Sequence, residues 1–162
     1  MLSKSIPCIF VGGPIQNAIG LDGIFNIQVR NLIETVLKIL KKANYRILSA
    51  HTYENFGEMD VSNKFQEVCA RDFQWMKECD LFLAVLPLDS KGEVISSSGT
   101  SVELGWASAM RKPIILVRHS AQKYSHLIAG LNVMTHVAEV YINEKNFEVV
   151  LCHAVDSCLN KN

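Results

Sequence analysis

Short apolar runs alternate with longer amphipathic stretches along this chain, and that alternation predicts βαβ units around a parallel sheet. Pro7 to Val11 forms the first run, stopped by Gly12-Gly13-Pro14. From Asn26 to Ala43, apolar residues recur at Ile27, Leu32, Ile33, Val36, Leu37 and Leu40, close to helical spacing, and Lys38, Lys41 and Lys42 fall in the last turns, where cations favour the helix dipole. Tyr45 to Ser49 reads as a second strand, and the polar stretch His51 to Asp60 as a loop long enough to carry function. Val61 to Lys77 predicts a helix and Leu81 to Leu86, the most apolar run, a third strand. Ser101 to Met110 predicts a helix ended by Arg111-Lys112-Pro113, with Pro113 to Val117 the fourth strand. The tail predicts a helical turn near Ser125 to Gly130, a strand near Val133 to Val140 and a final helix from about Glu144 to Leu159.

These elements sum to an α/β, flavodoxin-like, doubly wound parallel sheet of five strands with helices on both faces, in one domain over residues 1–162. Ligands of such sheets bind outside the carboxyl ends of the strands, which are followed here by Gly12 to Gln16, His51 to Asp60, Pro87 to Thr100 and His119 to Ser125. Those segments converge on one crevice. Glu103 stands out because its run, Ser97 to Ala107, leads from a Ser/Gly-rich turn into a helix directly after the third strand. On sequence physics alone it reads equally as an acid facing that crevice or as a first-turn acid favoured by the helix dipole.

Composition narrows the partners. The 162 residues are 49% hydrophobic, enough for a sizeable core, and 16 Lys+Arg balance 16 Asp+Glu. A neutral chain lacks the basic excess that phosphate-backbone binding needs, so a small molecule is expected rather than nucleic acid. Cys8, Cys69, Cys79, Cys152 and Cys158 are odd in number and lack the paired spacing of a zinc or redox motif, so they read as reduced core thiols of a cytoplasmic protein. The Ile6 to Val11 run is too short for a signal peptide or membrane span. His119, His126, His136 and His153 have no metal-ligand spacing with any acid, and no metal or cofactor is expected. Trp75 and Trp106 read as core or interface aromatics. The Gly12-Gly13 turn lacks the full glycine pattern of a dinucleotide site.

Several separated motifs resemble the nucleoside 2-deoxyribosyltransferase-like enzymes, and within them the 2′-deoxynucleoside 5′-phosphate N-hydrolases and cytidylate hydrolases. They are Ile9-Phe10-Val11-Gly12-Gly13-Pro14-Ile15; Leu48-Ser49-Ala50-His51 with Asn55-Phe56-Gly57; Arg71-Asp72-Phe73-Gln74-Trp75 ahead of Asp80; Ser97 to Ala107; and Tyr124 to Gly130. The resemblance implies a nucleotide N-glycosidase that needs no cofactor, with Glu103 as nucleophile and Asp72 as the acid that assists the leaving base. It implies a phosphate sub-site of Ser97, Ser98 and Gly99, joined by Ser125 from a neighbouring subunit of a homodimer or dimer of dimers. Gly12, Gly13 and Asp80 fall in the matching motifs, His51 is implied near the base or phosphate, and Phe10, Ile15 and Phe56 near apolar walls. Two positions depart from the family pattern: Phe10 stands where many members carry a tyrosine, and Gln16 about where the deoxynucleotide hydrolases carry an arginine. A transferase that exchanges bases, and a nucleotide-binding sensor without turnover, are the alternative readings.

Overall fold

The computed structural model describes residues 5–160; positions 1–4 and 161–162 of the expected domain span lie outside the described residues. Five parallel strands, β1 (Cys8–Gly12), β2 (Arg46–Ser49), β3 (Leu81–Leu86), β4 (Ile114–Arg118) and β5 (Val137–Tyr141), lie in the order β2-β1-β3-β4-β5. The helices are α1 (Ile27–Lys42), α2 (Ala50–Tyr53), α3 (Phe65–Glu78), α4 (Ser98–Ala109), α5 (His126–Ala129) and α6 (Phe147–Leu159). Short 3-10 turns occupy Gln16–Ala18 and Leu131–Val133. The flavodoxin-like α/β architecture expected from the sequence is present.

A strand covered on both faces must be apolar at every position, and β1 and β3 are buried throughout. Because side chains alternate across a strand, Ile9, Val11, Leu83 and Val85 enter one core with Val29, Ile33, Val36 and Leu40 of α1 and Leu151 and Val155 of α6. Phe10, Phe82 and Ala84 enter the other with Met76 of α3 and Leu104 and Ala107 of α4. The spacing of 4, 3 and 4 residues between Val29, Ile33, Val36 and Leu40 is the inward stripe of α1. Asn26 caps that helix by accepting from the N–H groups of Gln28 and Val29, and Asn44, at φ 63°, follows its end in the left-handed conformation.

Several boundaries differ from the sequence reading. The expected loop from His51 begins as α2, and the helix expected from Val61 starts at Phe65. Helix α4 starts at Ser98 rather than Ser101, because the Ser97 hydroxyl accepts from Thr100 N–H and caps it. The last strand begins at Val137, since Leu131–Val133 close a 3-10 turn, and α6 begins at Phe147. Cys8, Cys79 and Cys158 are buried, whereas Cys69 is exposed, so the core-thiol reading fails for that residue. Among the described residues no helix is long and apolar enough to cross a membrane.

Asp80, expected near the substrate, lies at the amino ends of the strands, where its carboxylate accepts from Cys8 N–H at 2.7 Å and its own N–H donates to Cys8 O at 2.8 Å. It ties the start of β1 to the start of β3, at the opposite edge from the ligand-binding end. Replacement by Ala removes a charge-assisted bond and should cost about 1–3 kcal/mol of unfolding free energy, read from urea denaturation.

Candidate functional site

The chain reverses its winding direction between β1 and β3, and the crevice outside their carboxyl ends is where such a sheet binds ligands. Glu103 reaches that place from α4. Thr100, Glu103, Leu104 and Ala107 form the buried stripe of the helix, so the carboxylate points at the sheet from the second turn, beyond the first-turn position where a dipole role would place it. Beneath it β1 ends in Gly12, where an added Cβ would lie 2.5 Å from Glu103 Oε2 and 2.8 Å from the Phe82 ring. Only glycine leaves room for the acid.

Asp72 joins Glu103 from α3, at the mouth of a cleft of about 740 Å³. Both acids are 9% exposed. Arg71 donates to Asp72 Oδ1 at 2.8 Å through Nε and to Glu54 Oε1 at 2.7 Å through Nη2. Its guanidinium lies over the Tyr53 ring at 4.8 Å and the Trp75 ring at 4.7 Å. No hydrogen-bond donor meets the Glu103 carboxylate among the described residues, and Phe10, beneath the site, supplies a ring where a tyrosine would carry a hydroxyl.

These surroundings separate the two acids. Burial, then the neighbouring Asp72 charge, push Glu103 well above the ordinary carboxylate range; Arg71 opposes this and Glu54 adds to it. Burial raises Asp72 as well, but the Arg71 hydrogen bond and charge act directly against that rise, with Glu54 adding a smaller push upward. Both carboxyls are thus pushed upward, and the direct Arg71 contact restrains the rise at Asp72 alone. Acids placed together with unequal environments can divide the roles of donor and anion.

The cleft brings together Gln16, Asp72, Gly99 and Glu103 from the residues expected by sequence. Its apolar walls were not anticipated: Phe65 and Val68 on α3, Val102 and Trp106 on α4, and Met59. Their signal was the three- and four-residue spacing that puts Phe65, Val68 and Asp72 on one face of α3 and Val102 and Trp106 on one face of α4. Trp106, read as a core or interface aromatic, thus stands on the cleft wall.

Ser97 and Ser125 meet in an adjoining cavity of about 140 Å³ on the other flank of α4, within the same chain. Both hydroxyls cap helices, Ser97 toward Thr100 N–H and Ser125 toward Ile128 N–H. Ser98 is exposed, and its amide and that of Gly99 open α4 without an intrahelical acceptor.

Other expected residues lie under the site. His51 is fully buried, with Nε2 3.2 Å from Pro14 O and its ring against Phe25 and Phe56, so it holds up the Gly13-Pro14 turn and does not line the cleft. Phe56 is buried beneath Arg30, whose guanidinium lies 4.5 Å above its ring. Gly13 fits between Val85 O and His51, and Ile15 packs below Gly57. The loop Asn55-Phe56-Gly57, at φ 47°, 53° and 84°, is left-handed at three consecutive residues, and it turns the chain toward Met59 at the cleft. Among the described residues no group of three His, Cys, Asp or Glu side chains is placed to hold a metal ion.

Fold and site together define a doubly wound α/β protein with a carboxylate pair at the switch point of its sheet. The chain belongs to the nucleoside 2-deoxyribosyltransferase family, whose model matches residues 22–150, a span that includes Asp72, Ser97 to Glu103 and Ser125. Members of this family act on nucleosides and nucleotides. The Phe10 to Gln16 turn precedes the matched span. Among solved structures, the chain is similar to the CMP N-glycosidase BcmB of Clostridium botulinum (24% identity, TM-score 0.60, covering 92% of this chain and 98% of that one). It is also similar to BlsM, known from a solution structure (22% identity, TM-score 0.70, 96% and 91% covered). A conserved protein from Enterococcus faecalis V583 has 13% identity and TM-score 0.56, with 94% and 99% covered. At these identities the likeness is one of fold. No curated protein matches the chain in sequence.

A buried carboxyl with a raised pKa costs stability at every pH above its unfolded value, because the unfolded chain ionises it freely. Glu103→Gln should therefore raise unfolding free energy at pH 7 by about 1–3 kcal/mol, with the gain vanishing below about pH 4, as read by urea titration. His51 behaves oppositely: burial lowers it to about 4, so between pH 7 and 5 the unfolded chain takes up a proton that the folded chain refuses. Stability attributable to His51 should fall by about 2 kcal/mol over that interval. The measurement is the difference between wild type and His51→Gln, in which the Glu103 contribution is common to both.

Proposed function

We propose that this chain is a nucleotide N-glycosidase, hydrolysing the base–sugar bond of a nucleoside 5′-monophosphate to free base and ribose or deoxyribose 5-phosphate. The observation that carries this reading is the buried Glu103 carboxyl, which meets no hydrogen-bond donor among the described residues and lines an apolar-walled cleft together with Asp72. A poorly solvated carboxylate without a cationic partner in contact gains most when positive charge develops beside it, as it does at C1′ when an N-glycosidic bond loosens. The similar CMP N-glycosidase fold adds to the reading only weakly.

In the proposed reaction the pair begins with one proton. As the C1′–N bond breaks, its electron pair passes to the base nitrogen, which takes that proton through Asp72. The growing charge on the sugar holds Glu103 ionised, and its oxygen closes on C1′. Water then attacks C1′, displaces the Glu103 carboxylate and returns one proton to the pair, so that base and sugar phosphate leave with atoms and charge balanced. Trp106 and Phe65 supply faces for a base. The free amides of Ser98 and Gly99 at the start of α4, near Ser97 and Ser125, supply donors for a phosphate. The family description favours a second reading, in which another base rather than water captures the glycosyl intermediate. One domain, a cytoplasmic location and a homodimer or dimer of dimers complete the proposal; Ser125 lines the same small cavity as Ser97 in its own chain, and its donation to a neighbouring subunit's site belongs to the proposed dimer.

Chromatographic assay of free base from ribo- and deoxyribonucleoside 5′-monophosphates and their unphosphorylated nucleosides is the test. Release from monophosphates without an acceptor is expected, with Glu103→Ala lowering the rate on the order of 10⁴-fold or more. Release only with a second base present makes the chain a transferase. Tight binding with no release in either condition makes it a nucleotide-binding protein without turnover.

A further inference from the structure

We propose that Arg71 is a positioning residue for the carboxylate pair, a guanidinium locked between Glu54 and Asp72 that keeps Asp72 anionic and leaves the cluster's single proton on Glu103. This inference rests on the reading of Glu103 and Asp72 as the reacting pair, and it assigns them their charge states before substrate arrives.

The geometry argues for it in three ways. Arg71 donates through two of its three guanidinium nitrogens, Nε to Asp72 and Nη2 to Glu54, and its side chain is only 14% exposed. The rings of Tyr53 and Trp75 lie within 5 Å of the guanidinium carbon and leave it little freedom to swing away. Charge balance supplies the third argument. One cation faces three buried carboxylates, Glu54, Asp72 and Glu103, so the cluster carries a net charge of −2 with all three ionised, and a bound proton relieves half of that excess. The proton goes to the acid that Arg71 does not touch. The other charged or titratable groups at the cleft are Glu58 and Asp60 on the loop before α3 and Cys69 on α3; Gly12 and Phe82, packed against Glu103 from the sheet, carry none.

Arg71 and Glu54 should then act on the pair in opposite directions, a pattern that a purely structural salt bridge has no reason to produce. The test is the pH profile of base release for wild type, Arg71→Gln, Arg71→Lys, Glu54→Gln and the double variant Glu54→Gln/Arg71→Gln, which leaves no carboxylate at position 54 unpaired. Arg71→Gln is expected to move the acid limb up by about one pH unit or more, to lower kcat more than it raises KM, and to be partly rescued by Arg71→Lys. Glu54→Gln is expected to move the limb down. The double variant should lie above Glu54→Gln, which preserves the comparison if Arg71→Gln alone does not fold. Acid limbs that coincide in all folded variants overturn the proposal while leaving Glu103 and Asp72 in place.

A second readout needs no turnover and so separates this inference from the proposed activity. Carbon-13 NMR titration of the Asp72 and Glu103 side-chain carboxyls, assigned by Asp72→Asn and Glu103→Gln, should show Asp72 losing its proton at lower pH than Glu103, with both moving down in Glu54→Gln. Glu103 ionising before Asp72 in the wild type overturns it.

Discussion

Three carboxylates held around a single guanidinium set the terms for the rest of this structure. Removing a charge from water costs several kcal/mol even after the surroundings relax, so a cluster of Glu54, Asp72 and Glu103 with one Arg71 persists only where the frame is strong enough to hold it. The frame answers in specific ways. Gly12 gives up a side chain so that Glu103 can lie against the sheet, and Tyr53 and Trp75 close over the guanidinium.

The resources for this come from a sheet that is apolar on both faces. Strands β1, β3 and β4 are buried along nearly their whole length between α1 and α6 on one side and α3 and α4 on the other. Helices α3 and α4 pack side by side over the carboxyl ends of β1 and β3, and each contributes one acid and part of the apolar wall. Asp72 and Glu103 meet because two helix stripes, each anchored by its own core residues, converge at that edge: Met76 below Asp72, Leu104 and Ala107 beside Glu103. Rigid elements hold the pair, while the left-handed Asn55-Phe56-Gly57 segment and the loop after it shape the entrance.

Stability and chemistry pull apart at Glu103. An acid that meets no hydrogen-bond donor among the described residues weakens the fold at neutral pH, and under the proposed function the same setting favours positive charge developing at a bound sugar. His51 is the converse case. Its ring is buried, neutral and spent on supporting the Pro14 turn, which is why a histidine that the resemblance placed near the nucleotide contributes from underneath rather than by contact. Phe10 and Phe56 likewise act as floor rather than wall.

The sequence by itself determined the strand and helix order, because fully buried parallel strands leave short continuous apolar runs and one-sided helices leave a period of about 3.6, both readable without knowledge of neighbours. It also singled out Glu103, an acid behind a Ser/Gly-rich turn that follows the third strand, while Asp72 was picked out through the family resemblance. Helix starts were less legible: a cap such as Ser97 on Thr100 N–H depends on a rotamer, and the first turn of α3 is won or lost against loop contacts. Only the tertiary structure decided which of the polar residues face one another. Arg71 is one helical position from Asp72 in sequence, yet its partner Glu54 and its covering ring Tyr53 come from α2 and the turn beyond it, 17 residues away from the first of these contacts. Asp80 sits eight residues from Asp72, but a strand's direction carries it to the far edge of the sheet. Contacts of this kind arise from how helices are laid across a sheet, a relation between distant segments that local pattern does not encode.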